Sequence, residues 1–136
     1  MRSSVVAVLS TALLGAGAPG IAHAGQSSSI LNVTIRNDTS IRLVLQKFDV
    51  TEGYLEVGPS SVIEPAGFDY VYLPVYAGER SSGSIRYLGG DYSFAFFWSK
   101  PDGGDGEFSC RVPIHLTCTH EDITEPQPGV AFTVRD

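Results

Sequence analysis

Ile85-Arg86-Tyr87-Leu88-Gly89-Gly90-Asp91-Tyr92-Ser93-Phe94-Ala95-Phe96-Phe97-Trp98 is the stretch that decides the fold. On its first side Ile85 and Tyr87 alternate with Ser84 and Arg86. On its second, Tyr92, Phe94, Phe96 and Trp98 alternate with Ser93, Ala95 and Phe97. A period of two belongs to a strand, whose side chains point to opposite faces in turn. Gly89-Gly90 between two such runs signals a tight hairpin. The segment therefore reads as two antiparallel strands, with Tyr92, Phe94, Phe96 and Trp98 forming the strongest inward face.

The same alternation recurs outward in both directions. Leu31, Val33 and Ile35 alternate with Asn32, Thr34 and Arg36, and Ile41, Leu43 and Leu45 with Arg42 and Gln46. Phe68, Tyr70 and Tyr72 share one face, and Val130, Phe132 and Val134 form a last strand. Between the runs stand turn residues: Asn37-Asp38, Glu52-Gly53, Gly58-Pro59, Pro65-Ala66-Gly67 and the loop from Pro101 to Gly106. No helical apolar period persists beyond two turns. The pattern predicts an all-β chain, a single antiparallel β-sandwich of about eight or nine short strands.

Residues 1–24 have the layout of a secretory signal peptide. Arg2 supplies the positive start, Val5 to Leu14 the apolar run and Ala22-His23-Ala24 the small-residue cleavage site. The run is shorter than the roughly 20 residues that span a bilayer; an uncleaved N-terminal anchor is the alternative. The expected mature chain is one domain, 25–136, soluble, secreted and extracellular, with Gln26 to Ser29 a short disordered tail. Without Arg2 it carries eight Lys/Arg against fifteen Asp/Glu, a formal charge of −7. That balance excludes a basic nucleic-acid surface and opposes binding to anionic lipid.

Cys110 and Cys118 are the only cysteines, and export makes a disulfide the expected state. On one extended strand they would lie about 26 Å apart, whereas a bridge needs Cα atoms within about 7 Å. The chain must reverse between them, around Pro113, which predicts a stapled hairpin; two free buried thiols are the alternative. Asn32-Val33-Thr34 and Asn37-Asp38-Thr39 both satisfy the Asn-x-Ser/Thr rule, making Asn32 and Asn37 candidate glycosylation sites. For Asn37 a simple turn is the competing reading.

No residues declare catalysis. His115 and His120 flank Cys118 but lack a third ligand at zinc spacing, so two solvent-facing imidazoles compete with a metal site. Asp102 to Glu107 has a calcium-like turn without the full loop pattern, and a solvated hairpin explains it as well. No Gly-x-Ser-x-Gly element appears. The expectation is a protein that is not an enzyme, with no cofactor and no metal. Aromatics are the more useful signal. Phe68, Tyr70 and Tyr72 cannot share a face with Val71 and Leu73, so one set faces out or lies under a loop. Exposed tyrosines suit membrane interfaces and sugar or peptide surfaces.

The ordered series Asn37-x-Thr39, Leu43-x-Leu45, Gly53-Tyr54, Pro59, Ile63-x-Pro65, Gly83-x-Ile85-x-Tyr87, Phe96-Phe97-Trp98, Pro101 and Gly104 resembles the aegerolysin family of small acidic exported β-sandwich proteins. Tyr54 stands where members usually carry tryptophan, and Lys100 where they usually carry asparagine. The resemblance implies a non-enzymatic protein that recognises membrane lipid, often sphingolipid, and works with a perforin-like partner in pore formation. It makes Tyr54, Tyr70, Tyr72, Tyr76 and Trp98 the candidate interfacial anchors, with Lys100, Glu52 and Asp69 as polar neighbours for a neutral or zwitterionic headgroup. A secreted protein-interaction effector or inhibitor on the same scaffold is the alternative function, and a small hydrolase or carbohydrate-binding module a third.

Overall fold

The computed structural model describes residues 28–136. The leader expected over 1–24 lies outside them, while Ser28 and Ser29 begin the first strand rather than a disordered tail. Nine strands follow in order: β1 (Ser28–Asp38), β2 (Leu43–Glu52), β3 (Val62–Ile63), β4 (Phe68–Tyr76), β5 (Arg80–Gly89), β6 (Tyr92–Pro101), β7 (Glu107–Arg111), β8 (Thr117–Ile123) and β9 (Gly129–Arg135). They form a four-stranded sheet ordered β4-β1-β9-β8 and a five-stranded sheet ordered β3-β2-β5-β6-β7. The expected sandwich is the observed fold. One pairing departs from antiparallel order, because β1 runs parallel to β9.

Alternation sends Leu31, Val33, Ile35, Val71, Leu73, Val75, Val130, Phe132 and Val134 inward from one sheet. Leu43, Ile85, Tyr87, Phe94, Phe96 and Trp98 meet them from the other. At about 25 cal/mol per Å² of apolar surface removed from water, burial of these rings and branched chains drives the two sheets together. Tyr92, expected in that inward row, is half exposed, because it opens β6 at the sandwich end. The hairpin between β5 and β6 closes over Gly90-Asp91. Gly90 has φ +61° while Asp91 does not enter the left-handed region, the φ pattern of a II′ turn that favours glycine first.

The cysteines do pair, with Cα atoms 6.4 Å apart, but the hairpin reading fails. Cys110 lies on β7, an edge of the five-stranded sheet, and Cys118 on β8, an edge of the four-stranded sheet. The bridge therefore ties the two sheets together along one open side. The reversal does lie at Pro113, whose carbonyl accepts the Leu116 N–H at 2.9 Å.

Candidate functional site

The exposed aromatics converge on β4. Asp69, Val71, Leu73 and Val75 point inward, so Phe68, Tyr70, Tyr72 and Tyr76 must point outward. Phe68 is 60% exposed and Tyr70 41%. Ring centroids step along the strand, 6.5 Å from Phe68 to Tyr70 and 5.0 Å from Tyr70 to Tyr72. On the neighbouring strand Arg36, Thr34 and Asn32 lie in register with Phe68, Tyr70 and Tyr72. Opposed residues of an antiparallel pair share a face, so a polar row with one cation runs beside the rings.

The segment between β2 and β3 completes this surface. It lies along the outer edge of β4, where Tyr72 N–H donates to the Val57 carbonyl at 3.0 Å and the Tyr72 carbonyl accepts the N–H groups of Glu56 and Val57. Its position is locked from inside. Asp69, buried, accepts the Ser60 N–H at 2.6 Å and the Ser60 hydroxyl at 3.0 Å. Tyr87, reaching across from β5, donates its hydroxyl to the same carboxylate at 3.1 Å. Burial, then the neighbouring Asp69 charge, pushes the Tyr87 hydroxyl far above the usual tyrosine range, so it stays a donor at any physiological pH. Held this way, the segment sets the Tyr54 ring edge-on to Tyr76 at 5.2 Å and exposes Leu55 and Val57 beside the row.

Four of the expected anchors, Tyr54, Tyr70, Tyr72 and Tyr76, thus sit on one edge of the sandwich. Trp98 does not join them. It is 2% exposed, stacks near Phe48 at 6.4 Å and donates its indole N–H to Ser81 at 3.0 Å. Its parity matches Phe94 and Phe96, which forces it inward. Gly83 makes room for it, since a Cβ there would come within 2.5 Å of the indole ring. Asp69 is likewise an internal anchor rather than a headgroup contact. Lys100 turns its ammonium onto the Pro101 carbonyl at 2.8 Å and lines a separate cleft between the 102–106 loop and Ile123 to Gly129.

The sequons separate. Asn37 is fully buried, and its Nδ2 donates to the carbonyls of Ile41 (2.7 Å), Glu64 (3.2 Å) and Ile63 (3.3 Å). The folded protein has no room for a glycan there, and Asn37 lies within β1 rather than in a turn, its side chain anchoring the connection that follows. Asn32 faces outward, its Oδ1 accepting from Thr34 at 3.3 Å. The histidines also part: His115 packs on Tyr92 with ring centroids 5.0 Å apart, while His120 bonds Asp122 at 3.1 Å and packs on Phe132. Among the described residues no three His, Cys, Asp or Glu side chains gather as a metal site would require.

Beside Tyr54, at the end of the sandwich, a cleft of about 620 Å³ opens between Glu52 to Tyr54, Gly78 to Arg80 and Pro101. Gly53, at φ +95°, lets the β2 exit press onto Arg80, because a Cβ there would lie 2.9 Å from the Arg80 carbonyl. Opposite, the Asp102 N–H donates to the Glu79 carbonyl at 2.8 Å, and Asp102 accepts the Gly78 N–H at 3.2 Å. Sequence reasoning missed Arg36, Glu79 and Arg80. They sit in no motif, and only the strand register and the meeting of three turns place them beside the rings.

No family model matches the chain, and no curated protein matches it in sequence. Solved structures do match in shape. IP-1A from Alcaligenes faecalis superposes with a TM-score of 0.61 at 13% identity, over 79% of this chain and 91% of that one. The lipid-binding protein Nakanori superposes with a TM-score of 0.65 at 13% identity, over 79% of this chain and 71% of that one. At such identity the likeness concerns the fold.

Proposed function

We propose that this protein is an exported lipid-recognition protein of aegerolysin type, binding membranes through the outer face of β4 and the segment beside it. One observation carries the reading: exposed Phe68 and Tyr70 and half-buried Tyr72 form a continuous row of rings, extended by Leu55, Val57 and the Tyr54–Tyr76 pair. Contiguous exposed rings on a soluble domain mark an interaction surface, and tyrosine suits the headgroup level of a bilayer, with an apolar ring and a polar tip. The fold shared with a lipid-binding protein and the family motifs support it.

The finer reading follows from charge and shape. A net negative chain favours neutral or zwitterionic headgroups, sphingolipids among them, over anionic ones. No described helix is long and apolar enough to cross a membrane. The proposed role is recognition, with a separate perforin-like protein recruited to make the pore. Binding rather than catalysis is the activity.

Sedimentation of the 25–136 chain with liposomes tests this. Selective pelleting with sphingomyelin or another zwitterionic sphingolipid is expected. Losing a half-buried interfacial ring costs on the order of 1–2 kcal/mol, so Tyr70→Ala should weaken binding about tenfold while thermal unfolding stays within a few degrees. Absence of pelleting with every lipid would overturn the reading and favour a protein ligand for the same surface.

A further inference from the structure

The outer face of the five-stranded sheet sorts its charges by level. Ile85 and Tyr87 of β5 are fully buried on the inner side, so Arg86, Ser84 and Ser82 point outward. Across the strands, Arg86 lies in register between Lys47 and Ala95, with Arg111 beyond Ala95. Two levels along, Ser82 lies between Glu52 and Ser99, with Glu107 beyond Ser99. The level between them carries Asp49 and the half-buried Phe97. Three cations thus cross one end of the face and two carboxylates the other. Both ends are held in place. Ser82 donates to Glu52 Oε1 at 3.0 Å, and its hydroxyl lies 3.1 Å from that of Ser99, which accepts from Arg80 Nη1 at 2.7 Å. The Arg111 guanidinium packs 5.8 Å from the centre of the Phe97 ring, and Lys47 lies 3.4 Å from Asp49. On these three levels three cations balance three carboxylates, against eight Lys/Arg and fifteen Asp/Glu in the whole 25–136 chain.

We infer that this face pairs with the same face of a second copy of the chain, about a two-fold axis that follows the middle level and crosses the strands. Such an axis sets each strand over its own counterpart and exchanges the two outer levels. Lys47 of one copy then meets Glu52 of the other, and Arg111 meets Glu107, each contact occurring twice. Arg86 meets the Ser82 hydroxyl, and the two Phe97 rings meet at the axis. Facing sheets lie about 10 Å apart, a gap that a long cation and a glutamate close between them. Asp49 meets its own copy, and Lys47 beside it offsets that repulsion. Charge also fixes the register, because an axis one level away sets cation over cation or carboxylate over carboxylate. Four strands about 4.8 Å apart and three levels about 6.7 Å apart cover about 400 Å² per copy. That is half of the roughly 800 Å² per partner in a standard interface, so the dimer is weak and forms at on the order of 100 μM. The aromatic row of β4 belongs to the other sheet and stays open in both copies.

Sedimentation equilibrium of the 25–136 chain from about 5 to about 500 μM decides it. The mass of the wild type should climb from monomer toward dimer, and about 0.5 M salt should reverse the climb by screening exposed ion pairs. Arg111→Glu and Glu107→Arg, each checked for an unchanged melting temperature, should weaken association at least about tenfold, because both set like charges face to face. Glu107→Arg is the sharper of the two. It removes one negative charge and adds one positive, so general repulsion between acidic chains would make it associate better than wild type. An equimolar mixture of the two variants should associate at least as well as wild type, since every contact between positions 107 and 111 again joins opposite charges. Should either variant fail to fold, Lys47→Glu and Glu52→Lys make the same complementary pair on β2. A chain that stays monomeric up to about 500 μM overturns the inference. So does a dimer indifferent to these substitutions, a Glu107→Arg variant that associates more tightly, or a pair of variants that fails to complement.

Discussion

Replacing Asn37 with alanine tests the internal framework that carries the exposed aromatic surface. Asn37 sits at the end of β1 with no exposed surface. Its Oδ1 accepts the Thr39 hydroxyl at 2.6 Å and the Thr39 N–H at 3.2 Å, and its Nδ2 serves three carbonyls at 2.7, 3.2 and 3.3 Å. The N–H and carbonyl of its backbone also bond Gly67 and Ala66, so the side chain fixes the 64–67 turn against the start of β2. A buried hydrogen bond contributes about 1 kcal/mol net, and a group left without a partner costs about 1–3. Two short bonds at full weight and three long or shared ones at about a third give a loss of about 3 kcal/mol. That is a large share of the roughly 5–15 kcal/mol a domain possesses. With a urea slope of about 1.5 kcal/mol per M, the unfolding midpoint should fall by about 2 M. Asn37→Asp, nearly the same shape, should do no better, because its second oxygen faces three carbonyls where a donor stood. A midpoint shift below about 0.5 M for either variant would refute the hydrogen-bond reasoning.

Three further outcomes are expected. Removing the disulfide as Cys110→Ser with Cys118→Ser frees a loop of eight residues; the chain-entropy relation makes this about 2.5 kcal/mol, to be read by urea unfolding of the oxidised and mutant proteins. Trp98→Phe should cost about 2 kcal/mol, from the lost bond to buried Ser81 and the space left behind. Its folded fraction should pellet with liposomes as wild type does, the reverse of Tyr70→Ala; selective loss of binding would show that Trp98 contacts lipid. Ala66 holds φ +64°, a conformation that costs a residue with a Cβ about 1–2 kcal/mol. Ala66→Gly should therefore raise the melting temperature by a few degrees after its own entropy cost, and a fall would contradict the strain.

Much of the fold was legible in the sequence because alternation is a local property. Val33 beside Thr34, or Phe94 beside Ser93, reports which of two faces a residue takes whatever the rest of the chain does. Trp98 shows how firmly that rule holds: its parity with Phe94 and Phe96 already placed it inside, and reading it as a surface anchor set family resemblance above periodicity. Glycine signals worked for a similar reason, since Gly90 supplies a backbone conformation that its turn requires. Strand register and sheet membership were not legible. Nothing near Cys110 and Cys118 says that their strands belong to different sheets, and nothing near Asn37 distinguishes an exposed sequon from a buried turn anchor.

The sequence by itself determined an all-β sandwich, its main strands and turns, and that Phe68, Tyr70 and Tyr72 share a face opposite Val71 and Leu73, because period two and turn chemistry act over a few residues. The tertiary structure alone decided which outward aromatics stand together, how Asp69 and Tyr87 lock the segment that completes their surface, and how Glu52 and Arg80 come to share one cleft through two serines. Those arrangements depend on residues dozens of positions apart being brought within hydrogen-bond distance, and such proximity follows from packing two sheets rather than from any local pattern.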